Sequence, residues 1–165
     1  MSHILPIVEL GDPVLFRKAK PVKTISSVLP LVNNMIATLI DQVGLGLAAP
    51  QVGVSQRLYL SWVSPPDPGN ITVFINPVLT YLPSPKQVEI EGCLSIPGIR
   101  GHVSRYRDVQ VQYYDQYNTH HTQRFSGLAA RVIQHEHDHI DGVLFLDRIK
   151  STRDMMTETV YDSLR

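Results

Sequence analysis

A chain of 165 residues with 43% apolar side chains is long enough to bury the core of one ordinary domain, and too apolar to be disordered. Lys+Arg and Asp+Glu both number 15, so the net charge is zero with histidine neutral, which excludes nucleic-acid binding through a broad basic field. The single cysteine, Cys93, excludes an internal disulfide framework, and no stretch reaches the ~20 apolar residues that span a bilayer.

The chain opens with Met1-Ser2-His3-Ile4-Leu5-Pro6, which has no basic segment and an apolar run broken by Pro6, so it does not read as a secretory signal. A soluble, reducing compartment is the expectation. From about Ser27 to Val43 the apolar residues Val28, Leu31, Val32, Met35, Ile36, Leu39, Ile40 and Val43 repeat at helical spacing, with Ser26 or Ser27 as cap and Gly44 as the stop. Strands are predicted at Arg57–Val63, Ile71–Ile75, Val78–Tyr81 and Lys86–Glu91, with a surface loop over Ser64–Asn70. Asp108–Tyr114 and His120–Phe125 read as a hairpin turning at Asp115-Gln116-Tyr117-Asn118, with His120 and His121 on the surface. After Gly127 a helix runs from Leu128 to about Ile140, and another starts at Ser151 on a capping-box spacing. Helices and short strands mix without strict alternation. That predicts one α+β domain over residues 1–165, with largely antiparallel short sheets around the central helix and helices near both ends.

The central helix carries the chemistry. His135-Glu136-His137-Asp138-His139 contains H-E-x-x-H, which places two imidazoles one turn apart, so His135 and His139 can converge on one metal ion. At about 100° per residue, Leu128, Val132, His135 and His139 fall within an arc of about 60°, on the face that is otherwise apolar. Glu136 lies beside this stripe as a candidate general base, and His137 is expected on the opposite face, at the surface. Asp138 is expected to be structural. Two core histidines bonded to backbone carbonyls would be the bland alternative, but an interposed glutamate at this spacing favours a metal site.

A catalytic centre needs a third protein ligand, and the sequence offers two. One is Cys93, in Glu91-Gly92-Cys93-Leu94-Ser95, where a strand gives way to a loop; a thiolate suits Zn²⁺ or Fe²⁺. The other is Glu158, as in zinc endopeptidases of the gluzincin type. A closed structural site with four protein ligands is the non-enzymatic reading. A third segment, Gly44-Leu45-Gly46-Leu47-Ala48-Ala49-Pro50-Gln51, lets backbone approach a ligand closely and lacks the Lys-Ser/Thr of a phosphate loop.

These three segments, in this order, resemble the peptide deformylase pattern: G-x-G-x-A-A-x-Q, then E-G-C-L-S, then Q-H-E-x-D-H-L, with Ile140 in place of the last leucine. Gly11-Asp12-Pro13-Val14-Leu15 extends the resemblance over nearly the whole chain. It implies a hydrolase that removes the N-formyl group from the formylmethionine of newly made polypeptides, a step in protein biosynthesis, releasing formate. Cys93, His135 and His139 then correspond to the metal ligands and Glu136 to the general base and acid. Gln51, through its amide, and Leu94, through its backbone N–H, correspond to the oxyanion donors. One Fe²⁺ per chain is implied, with Zn²⁺, Ni²⁺ or Co²⁺ as substitutes. For the substrate we expect Leu128 and Val132 to line the methionine pocket, and the backbone of Leu45, Gly46 and Gly92 to pair with the peptide as an added strand. The expected partners are N-formylmethionyl nascent peptides, without nucleic acid or membrane. Bacterial members approach the ribosome through the C-terminal region, which implies transient ribosome contact, although this tail carries no basic stripe. The expected location is the cytoplasm, or an organelle stroma or matrix for a processed form.

Overall fold

The computed structural model describes residues 2–63 and 70–165, so most of the loop expected at 64–70 lies outside the described residues. Strands β1 (Gly46–Ala48), β2 (Leu58–Trp62), β3 (Ile71–Tyr81), β6 (Asp108–Tyr114) and β7 (His120–Ser126) form one sheet in the order β1-β2-β3-β6-β7. Strands β4 (Lys86–Cys93), β5 (Ile96–Tyr106) and β8 (Met155–Thr157) form a second, in the order β4-β5-β8. Every pairing within the two sheets is antiparallel. With helices α1 (Leu29–Asp41), α2 (Gly127–Ile140) and α3 (Glu158–Ser163), this is the α+β architecture expected.

Period-two alternation explains how the larger sheet holds both long helices. Leu58, Leu60, Val73 and Ile75 point to one face and pack with Val32, Met35 and Leu39 of α1. Tyr59 and Phe74 point to the other face and pack with Ala130, Ile133 and Ile140 of α2. Both faces of the central strands are therefore buried, which is why β2 is apolar almost throughout. A third cluster, Leu15, Ile96, Val103, Leu144 and Phe145, fills the space behind the smaller sheet. The central helix α2 is thus wedged between the two sheets, and ten of its residues are buried.

Four local expectations need correction. The first helix begins after a 3-10 turn at Ile25–Val28 and has no side-chain cap; the Ser27 hydroxyl donates to the Thr24 carbonyl instead. The segments 71–75 and 78–81 are one strand, with its register displaced between Ile75 and Val78. There Asn76 adopts φ 49° and its side chain bonds both the N–H and the carbonyl of Val22. Strand β5 was not anticipated, because Pro97, Gly98 and Gly101 interrupt its pattern; Cys93 and Ile96 pair across a tight turn, so Leu94-Ser95 is a hairpin tip and not the start of a long loop. At the C-terminus Ser151 caps only a 3-10 turn, β8 follows, and the helix starts at Glu158.

The end of α1 shows a mismatch between sequence and backbone. Gly44 N–H bonds to the Leu39 carbonyl and Val43 N–H to the Ile40 carbonyl, the paired bonds of a Schellman closure. The left-handed residue that closure requires is Val43, at φ 51°, while the glycine sits one position late. A β-branched residue there costs about 1–2 kcal/mol, and Val43 is 89% exposed, so it gains no packing in return. Val43→Gly is therefore expected to stabilise the fold by about 1 kcal/mol, after allowing for the greater freedom glycine brings to the unfolded chain. A urea midpoint that moves up at constant slope checks this.

Candidate metal centre and active site

Helix α2 supplies two imidazoles and β4 supplies a thiol. The rings of His135 and His139 stand 5.0 Å apart, one turn from each other. The hairpin tip after β4 brings Cys93 Sγ to 3.2 Å from His139 Nε2. One potential ligand atom from each of Cys93, His135 and His139 lies within 4.8 Å of the other two, and among the described residues this is the one group of its kind. Metal–nitrogen bonds of about 2.0–2.1 Å and metal–sulfur bonds of about 2.3 Å give tetrahedral edges of about 3.5 Å, so the spacing fits a divalent ion with three protein ligands. Burial and the neighbouring His135 hold His139 well below its usual pKa, whereas Cys93 and Glu91, acting against burial, hold His135 well above it. Glu158 is not in this group. It pairs with Arg100 of β5, which removes the gluzincin arrangement from consideration.

The His135 ring is oriented by a carboxylate. Its Nδ1 lies 3.0 Å from Glu91 Oε2, which leaves Nε2 to face the centre. Glu91 in turn accepts both Nε and Nη2 of Arg105, each at 2.9 Å, and Nη1 of Arg131 at 2.7 Å. Burial would raise the Glu91 pKa, but the hydrogen bonds from His135 and Arg105 outweigh it and hold the carboxyl well below the usual range. Beyond it, Arg105 reaches Asp138 at 2.5 Å, and Asp138 accepts two bonds from Arg148. Asp138 is therefore structural, as expected. Glu91, Arg105 and Arg131 had no assigned role: Glu91 stood inside a motif, whereas nothing local marks the two arginines.

Glu136 is buried beside this centre, and its Oε2 has no protein partner among the described residues. Burial raises its pKa to about 7, with His135 acting in the opposite sense. Gly46 makes its position possible: a Cβ there would stand 2.6 Å from Glu136 Oε1. On the other side, Ala48 N–H donates to Gln51 Oε1 at 2.8 Å. That bond fixes the amide, and Gln51 Nε2 faces Cys93 Sγ at 3.5 Å. Leu94 follows Cys93 directly at the hairpin tip.

The residues expected to meet substrate divide between two strand edges and one helix face. β1 is an outer strand of the larger sheet. Trp62 N–H bonds the Leu45 carbonyl, so the alternation of the ladder turns the backbone groups of Gly46 outward. Gly92 lies on β4, an outer strand of the smaller sheet, where a Cβ would strike the Arg100 guanidinium. Val132 is 8% exposed and Leu128 is 61% exposed, so Leu128 stands at the solvent-facing end of their common stripe. His137 does not lie at the surface as expected. It is packed edge-on against Tyr59 at 6.1 Å between ring centroids, because the face of α2 opposite the centre is covered by the larger sheet. Of the hairpin histidines, His120 is exposed, while His121 is half-buried against Tyr113 and 2.8 Å from Asp115.

Comparison with known proteins places this arrangement in context. The family model for polypeptide deformylase matches residues 4–155. The chain is 42% identical over 164 residues to a peptide deformylase of Christiangramia forsetii, covering 91% of this chain and 84% of that protein. It is 39% identical over 171 residues to peptide deformylase 2 of a Nostoc species, covering 98% and 95%. The crystal structure of a peptide deformylase from Thermotoga maritima superposes with a TM-score of 0.84 at 38% identity, covering 90% of this chain and 99% of that one. One from Synechococcus elongatus gives 0.85 at 38% identity, covering 91% and 81%.

Proposed function

The chain belongs to the polypeptide deformylase family, a family of hydrolases, and from that premise we propose that Cys93, His135, His139 and Glu136 form the centre at which it removes the N-formyl group of newly made polypeptides. The observation that carries this reading is the convergence of three ligand atoms within 4.8 Å, beside the buried Glu136, whose Oε2 has no protein partner among the described residues. A divalent ion held by the thiolate and two imidazoles supplies Lewis-acid polarisation and lowers the pKa of water to about 7. Fe²⁺ is our proposal for that ion, one per chain, with Zn²⁺, Ni²⁺ or Co²⁺ as substitutes that the same donor set accepts.

The protein's own groups divide the remaining work. Glu136, through its unpartnered Oε2, takes the proton of the attacking water and returns it to the nitrogen that leaves as the free amine. Gln51 Nε2, held in place by the Ala48 N–H, and the backbone N–H of Leu94 donate to the oxyanion as the formyl carbon becomes tetrahedral. The outward backbone of Gly46 on β1 and the backbone of Gly92 on the outer strand β4 pair with an extended substrate, while the carbonyl of Leu45 is turned into the sheet, against Trp62. Val132 and Leu128 cover the methionine side chain. Recognition then depends on main chain and one apolar side chain, which suits nascent chains of many sequences.

We further propose that residues 1–165 act as one catalytic domain, in the cytoplasm or an organelle stroma or matrix, with transient ribosome contact. None of the described helices is long and apolar enough to cross a membrane. The test is formate release from a formyl-Met peptide by anaerobically purified protein, with Cys93→Ala as control. Release by the wild type and loss of both metal and formate in the variant are expected. A Cys93→Ala protein that keeps its metal and turns over normally would overturn the ligand assignment.

A further inference from the structure

Cys93 comes from β4, while His135 and His139 come from α2, so the centre forms only if a strand and a helix are held in one register. Arg131 is the side chain that spans them. It lies four residues before His135 on α2 and is buried. Its Nη1 donates to Glu91 Oε1 at 2.7 Å and to the Val103 carbonyl of β5 at 3.0 Å. Its Nη2 donates to the Gln87 carbonyl at 2.7 Å, and its Nε faces Glu89 Oε2 at 3.1 Å. The fork thus grips three alternate residues of β4: 87, 89 and 91.

The contacts continue along both elements as a ladder. Arg131 meets β4 from Gln87 to Glu91, His135 meets Glu91, and His139 meets Cys93. Four helical residues advance about 6 Å and two strand residues about 6.7 Å, so each turn of α2 answers one two-residue step of β4. The two periods are nearly commensurate as far as Glu91; between Glu91 and Cys93 β4 shifts register against β5, so fixing the Arg131 and Glu91 rungs sets where the hairpin tip that carries Cys93 begins.

We propose that Arg131 is a positioning residue for the metal centre, setting the register of β4 against α2 so that Cys93 reaches the two histidines. It is not one of the three residues that would hold the metal. This inference rests on the Cys93-His135-His139 assignment proposed above. A planar fork suits the task, because its five donors have fixed, diverging directions, whereas a lysine presents three donors from a single nitrogen.

The test is Co²⁺ binding by metal-free protein, followed through the thiolate-to-cobalt charge-transfer band and by competition with a chelator. Arg131→Met keeps most of the side-chain volume and removes the fork. We expect about 10–100-fold weaker Co²⁺ binding, as for other groups that orient metal ligands, and a weakened or shifted thiolate band at saturating metal. Arg131→Lys should fall between the two proteins. A folded Arg131→Met protein with wild-type affinity and band would overturn the proposal. Should that variant not fold, Arg131→Lys decides in the same way: a lower affinity with an altered band supports it, and wild-type values reject it. A wild-type protein that shows no thiolate band with Co²⁺ would instead sink the ligand assignment, and so the two failures are told apart.

Discussion

Glu136→Gln is expected to lower kcat for formate release by about 10²–10⁴-fold, the range that general acid–base groups contribute, while metal content stays at the wild-type level. The amide has the shape of the carboxylate and meets the same neighbours, so the fold and the ligands on either side should be undisturbed. What it lacks is a site for the proton. The geometry makes the carboxylate well suited to that task. Gly46 leaves room for it at the centre, burial acts to raise its pKa, and its Oε2 has no competing partner among the described residues. A carboxylate serving only as a structural anchor would be bonded, as Glu91 and Asp138 are. Metal analysis together with kcat and KM decides the matter. Near-normal kcat in a metal-loaded Glu136→Gln protein would remove Glu136 from the proton-transfer role.

The parts of this fold that could be read from sequence are those whose cause is local. The i, i+3, i+4 stripe of α1 and the His135/His139 spacing on α2 follow from helical period, and both helices lie close to their expected bounds. The β6–β7 hairpin follows from alternation around Asp115, whose side chain accepts the Tyr117 and Thr119 N–H groups and so fixes the turn. β5 was illegible for the opposite reason. Its Pro97, Gly98 and Gly101 oppose strand formation locally, and the strand exists because β4 and β8 pair with its two sides. Val43 shows a related conflict, since α1 closes through a residue that no propensity would place there.

The candidate site divides in the same manner. Two imidazoles on an apolar stripe, with a glutamate between them, were legible from helical period alone, whereas Cys93 was chosen over Glu158 by the order of the three motifs. Their supports were not legible. Arg105 and Arg131 look like any arginine in a strand or a helix; the β4–β5 hairpin brings the first onto Glu91, and the packing of α2 against β4 brings the second. On the opposite face of α2 the larger sheet covers His137, which helical period alone placed in solvent.

Glu91→Ala is expected to destabilise the fold by about 3–5 kcal/mol, the cost of breaking a buried ion pair from one side. The cluster holds three carboxylates, Glu89, Glu91 and Asp138, against three guanidiniums, Arg105, Arg131 and Arg148. Removing Glu91 leaves one uncompensated positive charge, and it falls on Arg105 and Arg131, both buried. Asp138 cannot absorb it, because it already serves Arg148. Glu89→Gln changes the charge by the same amount but at a side chain 53% exposed, where solvent screens it, and should cost less than about 1 kcal/mol. At about 2–4 °C per kcal/mol for a domain of this size, the first variant should melt roughly 10 °C lower and the second within a few degrees of wild type. The melts should be run on metal-free protein as well as on loaded protein. Glu91 also orients His135, so part of any loss in the loaded protein reflects weaker metal binding, whereas the buried charge persists without the ion. Equal melting of Glu91→Ala and wild type in the metal-free state would show that the arginines find other partners, and that Glu91 acts on the centre alone.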